Sequence, residues 1–192
     1  LPVGVAATVP EIRSIAITAA ILYVLHHGVT KALLFLTSGT IETTVGTTEF
    51  ARLGGLAERT PVIAAAFAVG GLALMGVPPL FGFFGKLFVF DALVRNPAHP
   101  ALAVALLGSI LSLVYVTRAW NRGFWGEPGD VVGRPTPDRR QLVVIGGLAL
   151  VVVLLGLGVD PVLDAASAAA KATLERDAYI DVVSPLPPGG GG

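Results

Sequence analysis

The stretch "LHHGVTKALLF", residues 25 to 35, sets His26, His27 and Lys31 in a run with no other charged side chain between Ser14 and Ile41. His27 and Lys31 are four residues apart and share one helical face, with Tyr23 a further turn back. Imidazole, with an ordinary pKa of ~6.5, takes up and releases protons near neutrality. A lysine buried beside it is a second titratable site. Such a row suits the hand-over of protons along a helix and requires no metal or cofactor. His26 points about 100° away from His27 and is a secondary candidate, as is Tyr23. Hydrogen bonding inside a helix bundle is the structural alternative for the histidines.

A second set follows at "GVPPLFGFFGK", residues 76 to 86. Pro78 and Pro79 each lack an amide hydrogen and clash one turn back, so no regular helix passes through them. Val77 and Pro78, each preceding a proline, are pushed away from helical angles. A broken helix at membrane depth is tolerated where its freed carbonyls meet protein or line a wet cavity. Breaks of this kind recur at the ion sites of transporters. The titratable group beside this break is Lys86. Asp91, nearer the end of the segment, is a secondary candidate that pairing with Arg95 would explain equally well.

The elements that must hold these residues are long and apolar. Segments from about Ile12 to Ile41, from Pro61 to Val94 with the interruption, from 101 to 120 and from 141 to 159 are each long enough to cross a bilayer, which takes ~20 helical residues. The fold expected is all-α: a polytopic transmembrane bundle of about four spans, one of them broken. Lys31 lies ten residues before Ile41, or ~15 Å of helix, and Lys86 is ~13 Å of helix from Arg95. Both distances exceed what a snorkelling lysine covers. A charge at mid-bilayer costs ~3 kcal/mol on insertion scales, which argues for a wet cavity or a partner inside the bundle.

Composition agrees. The chain is 54% hydrophobic and 14% charged, against about 25% charged in ordinary soluble domains. Thirteen basic and thirteen acidic residues cancel, which gives no basic surface for nucleic acid. There is no cysteine, so disulfides, thiolate metal sites and iron–sulfur clusters are excluded. Residues 1–10 lack the basic start and cleavage-type ending of a signal peptide. With Leu1 first and Met75 the sole methionine, the sequence reads as a fragment.

Basic residues in the loops 42–60 and 118–140 place those loops on the cytoplasmic side and the C-terminus outside. Arg118 and Arg122, beside Trp120, Phe124 and Trp125, read as an interfacial belt. After the last span, Asp160 as N-cap and Pro161 at the first helical position start an amphipathic helix. It lies at the membrane interface or packs as a loop helix. The organisation expected is therefore 1–159 transmembrane, 160–183 amphipathic helix and 184–192 a disordered Pro/Gly tail.

The ordered run "HHGVTKALLFLTSGTIE", then "LGGLAERTPVIAAAFAVGGLALMGVPPLFGFFGKLFVFDALV", resembles the antiporter-like subunits of respiratory complex I and of the Mrp-type sodium/proton antiporters. The features carrying the resemblance are a His-x3-Lys helix, a "GGL" loop, "G-x-P-P" and "GF-x-x-K" on a broken helix. The segments "AWNRGFWGE" (119–127) and "DAYIDVV" (177–183) look most like the D-type subunits of the Mrp branch. By this resemblance the chain corresponds to the C-terminal four helices of a fourteen-helix subunit. Lys31 then matches the central-channel lysine, His27 the histidine one turn before it, and Lys86 the terminal lysine near the external exit. Some relatives carry a second histidine where Tyr23 stands, and others a glutamate at the Lys86 position.

The resemblance implies a proton-translocating subunit of a multisubunit monovalent cation (Na+)/H+ antiporter, multi-pass in the cell membrane. Its partners would be other membrane subunits, lipid, protons and sodium; no cofactor, metal or nucleic acid is implied. The alternative is a proton-pumping membrane subunit of NADH:quinone oxidoreductase or a membrane-bound hydrogenase, driven by electron transfer elsewhere. A third reading is a scaffold whose lysines are inert. An enzymatic role in its own right is not expected of a secondary-transporter subunit.

Overall fold

In a computed structural model, residues 10–50, 52–95, 99–127 and 136–175 are described. The first helix, α1 (Pro10–Val45), is the axis of the bundle. It runs for 36 residues, or ~54 Å, well beyond the ~30 Å of a hydrocarbon core. It packs against the broken pair and the last two helices alike. Its polar residues survive in an apolar setting because their hydroxyls return to the helix's own carbonyls. Thr37 donates to Leu33 O at 2.7 Å and Thr40 to Leu36 O at 2.8 Å. The helix stops where Gly46 takes a φ of 80°.

A short turn, α2 (Leu56–Arg59), leads into α3 (Pro61–Met75), and α4 (Phe81–Arg95) follows the break. Each half has 15 residues, about 22 Å, so neither crosses alone. Among the described residues, three helices have the length and apolarity to do so: α1, α5 (His99–Ala119) with its continuation to Phe124, and α6 (Arg139–Leu157). Apart from Ser112 and Val116, α5 is largely unburied. Val104, Leu107, Ile110, Leu111 and Val114 face outward, as suits contact with lipid. The core proper joins Leu33 of α1, Ile63 and Ala66 of α3, and Ile145 and Val152 of α6.

The break is built by its sequence. Gly76 closes α3 with a φ of 84°, and the amides of Gly76 and Val77 both return to the Leu72 carbonyl at 3.0 Å. That left-handed turn suits glycine, which has no Cβ to clash. The Pro78–Pro79 bond is cis, and Leu80 N donates back to Val77 O before α4 begins. Gly82 then lets α4 cross tightly over the end of α3: a Cβ there would overlap the Ala73 carbonyl.

Among the described residues the expected helices are present, with two local corrections. The last helix, α7, runs Val159–Leu174 with Gly158 as its N-cap, so Asp160 and Pro161 stand inside its first turn and Asp160 caps nothing. It packs along α1, with Ala166 and Ala170 buried; Ala166 joins Leu22 and Phe81 in a second core cluster. Only part of the aromatic belt is peripheral. α5 continues into a π-helical turn, Trp120–Phe124, whose rings turn inward. Phe124 is buried against Phe67 at 4.5 Å and Trp120 stacks on it at 5.0 Å, leaving Trp125 exposed. The Pro/Gly tail at 184–192, the stretch 176–183 and Arg134 lie outside the described residues.

The last turn of α1 and the start of α6 meet at one end of the bundle. Thr43 donates to Gln141 Oε1 at 3.0 Å, and Phe50 lies against Gly123. The described residues around Thr43, Phe50, Gly123 and Gln141 therefore share one end of the bundle.

Gly82→Ala forces its methyl into the Ala73 carbonyl and to 2.6 Å from His26 Cε1. A destabilisation of about 1–3 kcal/mol is expected, read as a lower thermal midpoint of the detergent-solubilised protein. Adding His26→Ala should not restore it, because the carbonyl still blocks. Gly85→Ala meets nothing nearer than 3.5 Å and should melt with the parent protein.

Candidate functional site

The break frees backbone carbonyls at the end of α3, and one of them finds its donor eleven residues later. Lys86 Nζ donates to Met75 O at 2.9 Å and lies 3.3 Å from Ser112 Oγ on α5. Ser112 in turn donates to Ser109 O at 2.7 Å. The lysine stem passes beside Gly76, where a Cβ would stand 2.9 Å from Lys86 Cδ. Gly76 thus serves both the turn and the path of the side chain. Lys86 is half-buried and answers the question its sequence position raised: its amine lies inside the bundle, on the break itself.

Beside it is a cavity of about 540 Å³ between α1, α4 and α5. Its polar lining is Tyr23, His27, Lys86, Ser109, Ser112 and Tyr115; the rest is apolar. No carboxylate among the described residues lines it. Tyr23 and His27 stack at 5.6 Å with their planes 18° apart, so the α1 face predicted from spacing is real at these two positions. His27 Nδ1 is buried without a hydrogen-bond partner among the described residues.

Lys31 is not brought to this cavity. It sits one turn further along α1, half-buried, with Nζ 5.9 Å from the centre of the exposed Phe35 ring. Asp91 pairs with Arg95 at 2.8 Å near the surface and does not line the cavity. His26, which spacing ranks below His27, is fully enclosed on the opposite side of Tyr23 and His27, with Nδ1 3.2 Å from Thr30 Oγ1. Sequence reasoning missed the Met75 carbonyl and the α5 hydroxyls. The carbonyl leaves no trace in residue type. Ser109 and Ser112, three apart on an otherwise apolar span, were a legible signal.

Fold and site together define a polytopic helical membrane protein with ionisable side chains drawn inside the bundle at a broken helix. The chain belongs to the NADH:quinone oxidoreductase/Mrp antiporter transmembrane family, which matches residues 5–112. It is 32% identical over 170 residues to the D-type subunit of the Na(+)/H(+) antiporter of Alkalihalophilus pseudofirmus, covering 88% of this chain and 34% of that protein. Among solved structures it resembles a chain of the Mrp complex from Dietzia sp. DQ12-45-1b, with a TM-score of 0.78 and 30% identity. The match covers 88% of this chain and 40% of that one. A chain of the membrane-bound sulfane sulfur reductase, an archaeal respiratory membrane complex, matches with a TM-score of 0.72 and 31% identity over 80% of this chain and 25% of that one. The chain spans about a third of the length of the curated relatives it matches.

Lys86→Met removes the donor on the Met75 carbonyl and leaves it facing an apolar side chain. Loss of a buried partner costs about 1–3 kcal/mol, so the thermal midpoint should fall. Ser112→Ala leaves the 2.9 Å bond in place and should fall less. Equal shifts in the two variants would mean that the carbonyl tether carries no weight.

Proposed function

We propose that the chain is part of a proton-translocating D-type subunit of a multisubunit Na+/H+ antiporter in the plasma membrane. Lys86, Lys31 and His27 pass the proton, and the neighbouring subunits of the complex complete the cation path. The observation that carries this reading is the placement of the Lys86 amine on the Met75 carbonyl, beside a cavity it shares with His27 and Tyr23. A carbonyl oxygen holds an amine in place without competing for its proton, and the cavity gives that proton somewhere to go. Lys31, one turn beyond, extends the row further along α1, past its midpoint. The likeness to a D-type antiporter subunit over nearly nine-tenths of the chain supports the antiporter branch. The basic loops 42–60 and 118–140 orient that end of the bundle to the cytoplasm.

A second reading, a proton-pumping subunit in a redox complex, draws on the likeness to a chain of the archaeal sulfane sulfur reductase complex. The driving force separates them. In inverted vesicles holding the assembled complex, adding Na+ to a preformed pH gradient should release protons in the antiporter. In the redox complex only an electron donor moves them.

Lys86→Ala and Lys31→Ala in that complex should each lower Na+-driven proton flux by about 10²-fold or more, as expected when a positioned proton carrier is lost. The subunits should still co-purify. Full flux in both variants, with assembly intact, would leave the scaffold reading.

A further inference from the structure

His26 is the one ionisable side chain among the buried residues described, at 1% exposure. Spacing along α1 turns it away from the His27 face, and the structure shows what it faces instead. Its Nδ1 shares a hydrogen bond with Thr30 Oγ1, one turn further along α1, at 3.2 Å. Thr30 is itself 1% exposed, so the bond pins the ring from inside the bundle. The rest of the imidazole lies across the first turns of α4. A Cβ on Gly82 would stand 2.6 Å from Cε1, and one on Gly85 3.5 Å from Cδ2. Phe81 closes the site edge-on at 6.1 Å and Tyr23 at 5.9 Å.

The ring therefore stands in the space a side chain at 82 would need, and within ordinary contact distance of where a Cβ at 85 would stand. Gly82 is also the point where α4 presses on the Ala73 carbonyl at the end of α3. One side chain of α1 thus sits where both halves of the broken helix meet. Lys86 follows Gly82 by one turn and Gly85 by one residue. A packed helix moves as a unit because close-packed interiors transmit displacement. Any slip of the first turn of α4 carries Lys86 away from Met75.

We propose that His26 is a positioning residue: pinned by Thr30 and seated against Gly82 and Gly85, its ring fixes the start of α4 so that the Lys86 amine stays on the Met75 carbonyl. This differs from the proton carriage assigned to His27, which opens on the cavity. It rests on the antiporter reading only where transport is the readout.

Two readouts test it in the assembled complex, freed of any cysteine outside this chain, which has none. The first is geometric: Lys86→Cys is labelled in membranes by a small water-soluble methanethiosulfonate. Adding His26→Ala should change its labelling rate roughly tenfold, as the local packing opens. The second is transport with Lys86 intact. His26→Ala should lower maximal Na+-driven proton flux about tenfold through misplacement, with half-saturating Na+ unchanged. His26→Gln, which refills the slot without a titratable ring, should restore both.

Unchanged labelling in His26→Ala overturns the proposal. So does a His26→Gln variant with normal labelling and flux as poor as His26→Ala, because His26 would then carry the proton itself. If His26→Ala fails to assemble, Thr30→Val removes the pin alone and should shift the labelling rate in the same direction; no shift sinks the idea. An unmodified complex without Na+-driven flux would refute the antiporter reading and leave the labelling result to decide on His26.

Discussion

A backbone carbonyl released at membrane depth must find a donor, and in this chain the donor is a lysine. Helices satisfy their own polar groups, which is why they can cross lipid at all. Two prolines end that self-sufficiency between Met75 and Phe81, so a freed carbonyl needs another donor. The Lys86 amine takes the role at 2.9 Å. Much of the local structure follows: the left-handed turn at Gly76, the stem passing beside it, and the tight crossing at Gly82.

The arrangement solves two problems with one side chain. A lysine inside an apolar bundle is costly unless its hydrogens are used, and a broken helix is costly unless its oxygens are. Paired, each offsets the other. The pairing also leaves the amine chemically accessible. A carbonyl accepts a hydrogen bond but does not take the proton, so the tether is a hydrogen bond and not an ion pair. No carboxylate among the described residues lines the cavity to pair with the amine.

How far the sequence reached can be judged from particular residues. The break was legible because Pro78 and Pro79 forbid a helix through local chemistry alone. The spans were legible from apolar length, and the Tyr23–His27 face from spacing by four. The π-helical turn at Trp120–Phe124 was not, because it depends on Phe67 from another helix receiving those rings. The cap of α7 differs from its sequence signal: Asp160 and Pro161 are both suited to a helix start, yet the helix begins before them at Val159. His26 stands out only in three dimensions, for a related reason. Helical spacing says which residues share a face but not what that face meets, and here it meets the glycines of α4. Residue type groups Lys31 with Lys86, whereas the cavity holds only Lys86.

The central claim is that the side chain at position 86 lies inside the bundle, beside Ser112 and the Met75 carbonyl, and not against lipid. Nitroxide labels at Lys86→Cys and, separately, at Leu111→Cys on the outward face of α5 measure this in reconstituted membranes. Collision rates with a water-soluble nickel chelate and with oxygen are compared at the two positions. The account predicts that the label at 86 favours the chelate over oxygen relative to the label at 111. An oxygen-dominated signal at 86, matching that at 111, would contradict it.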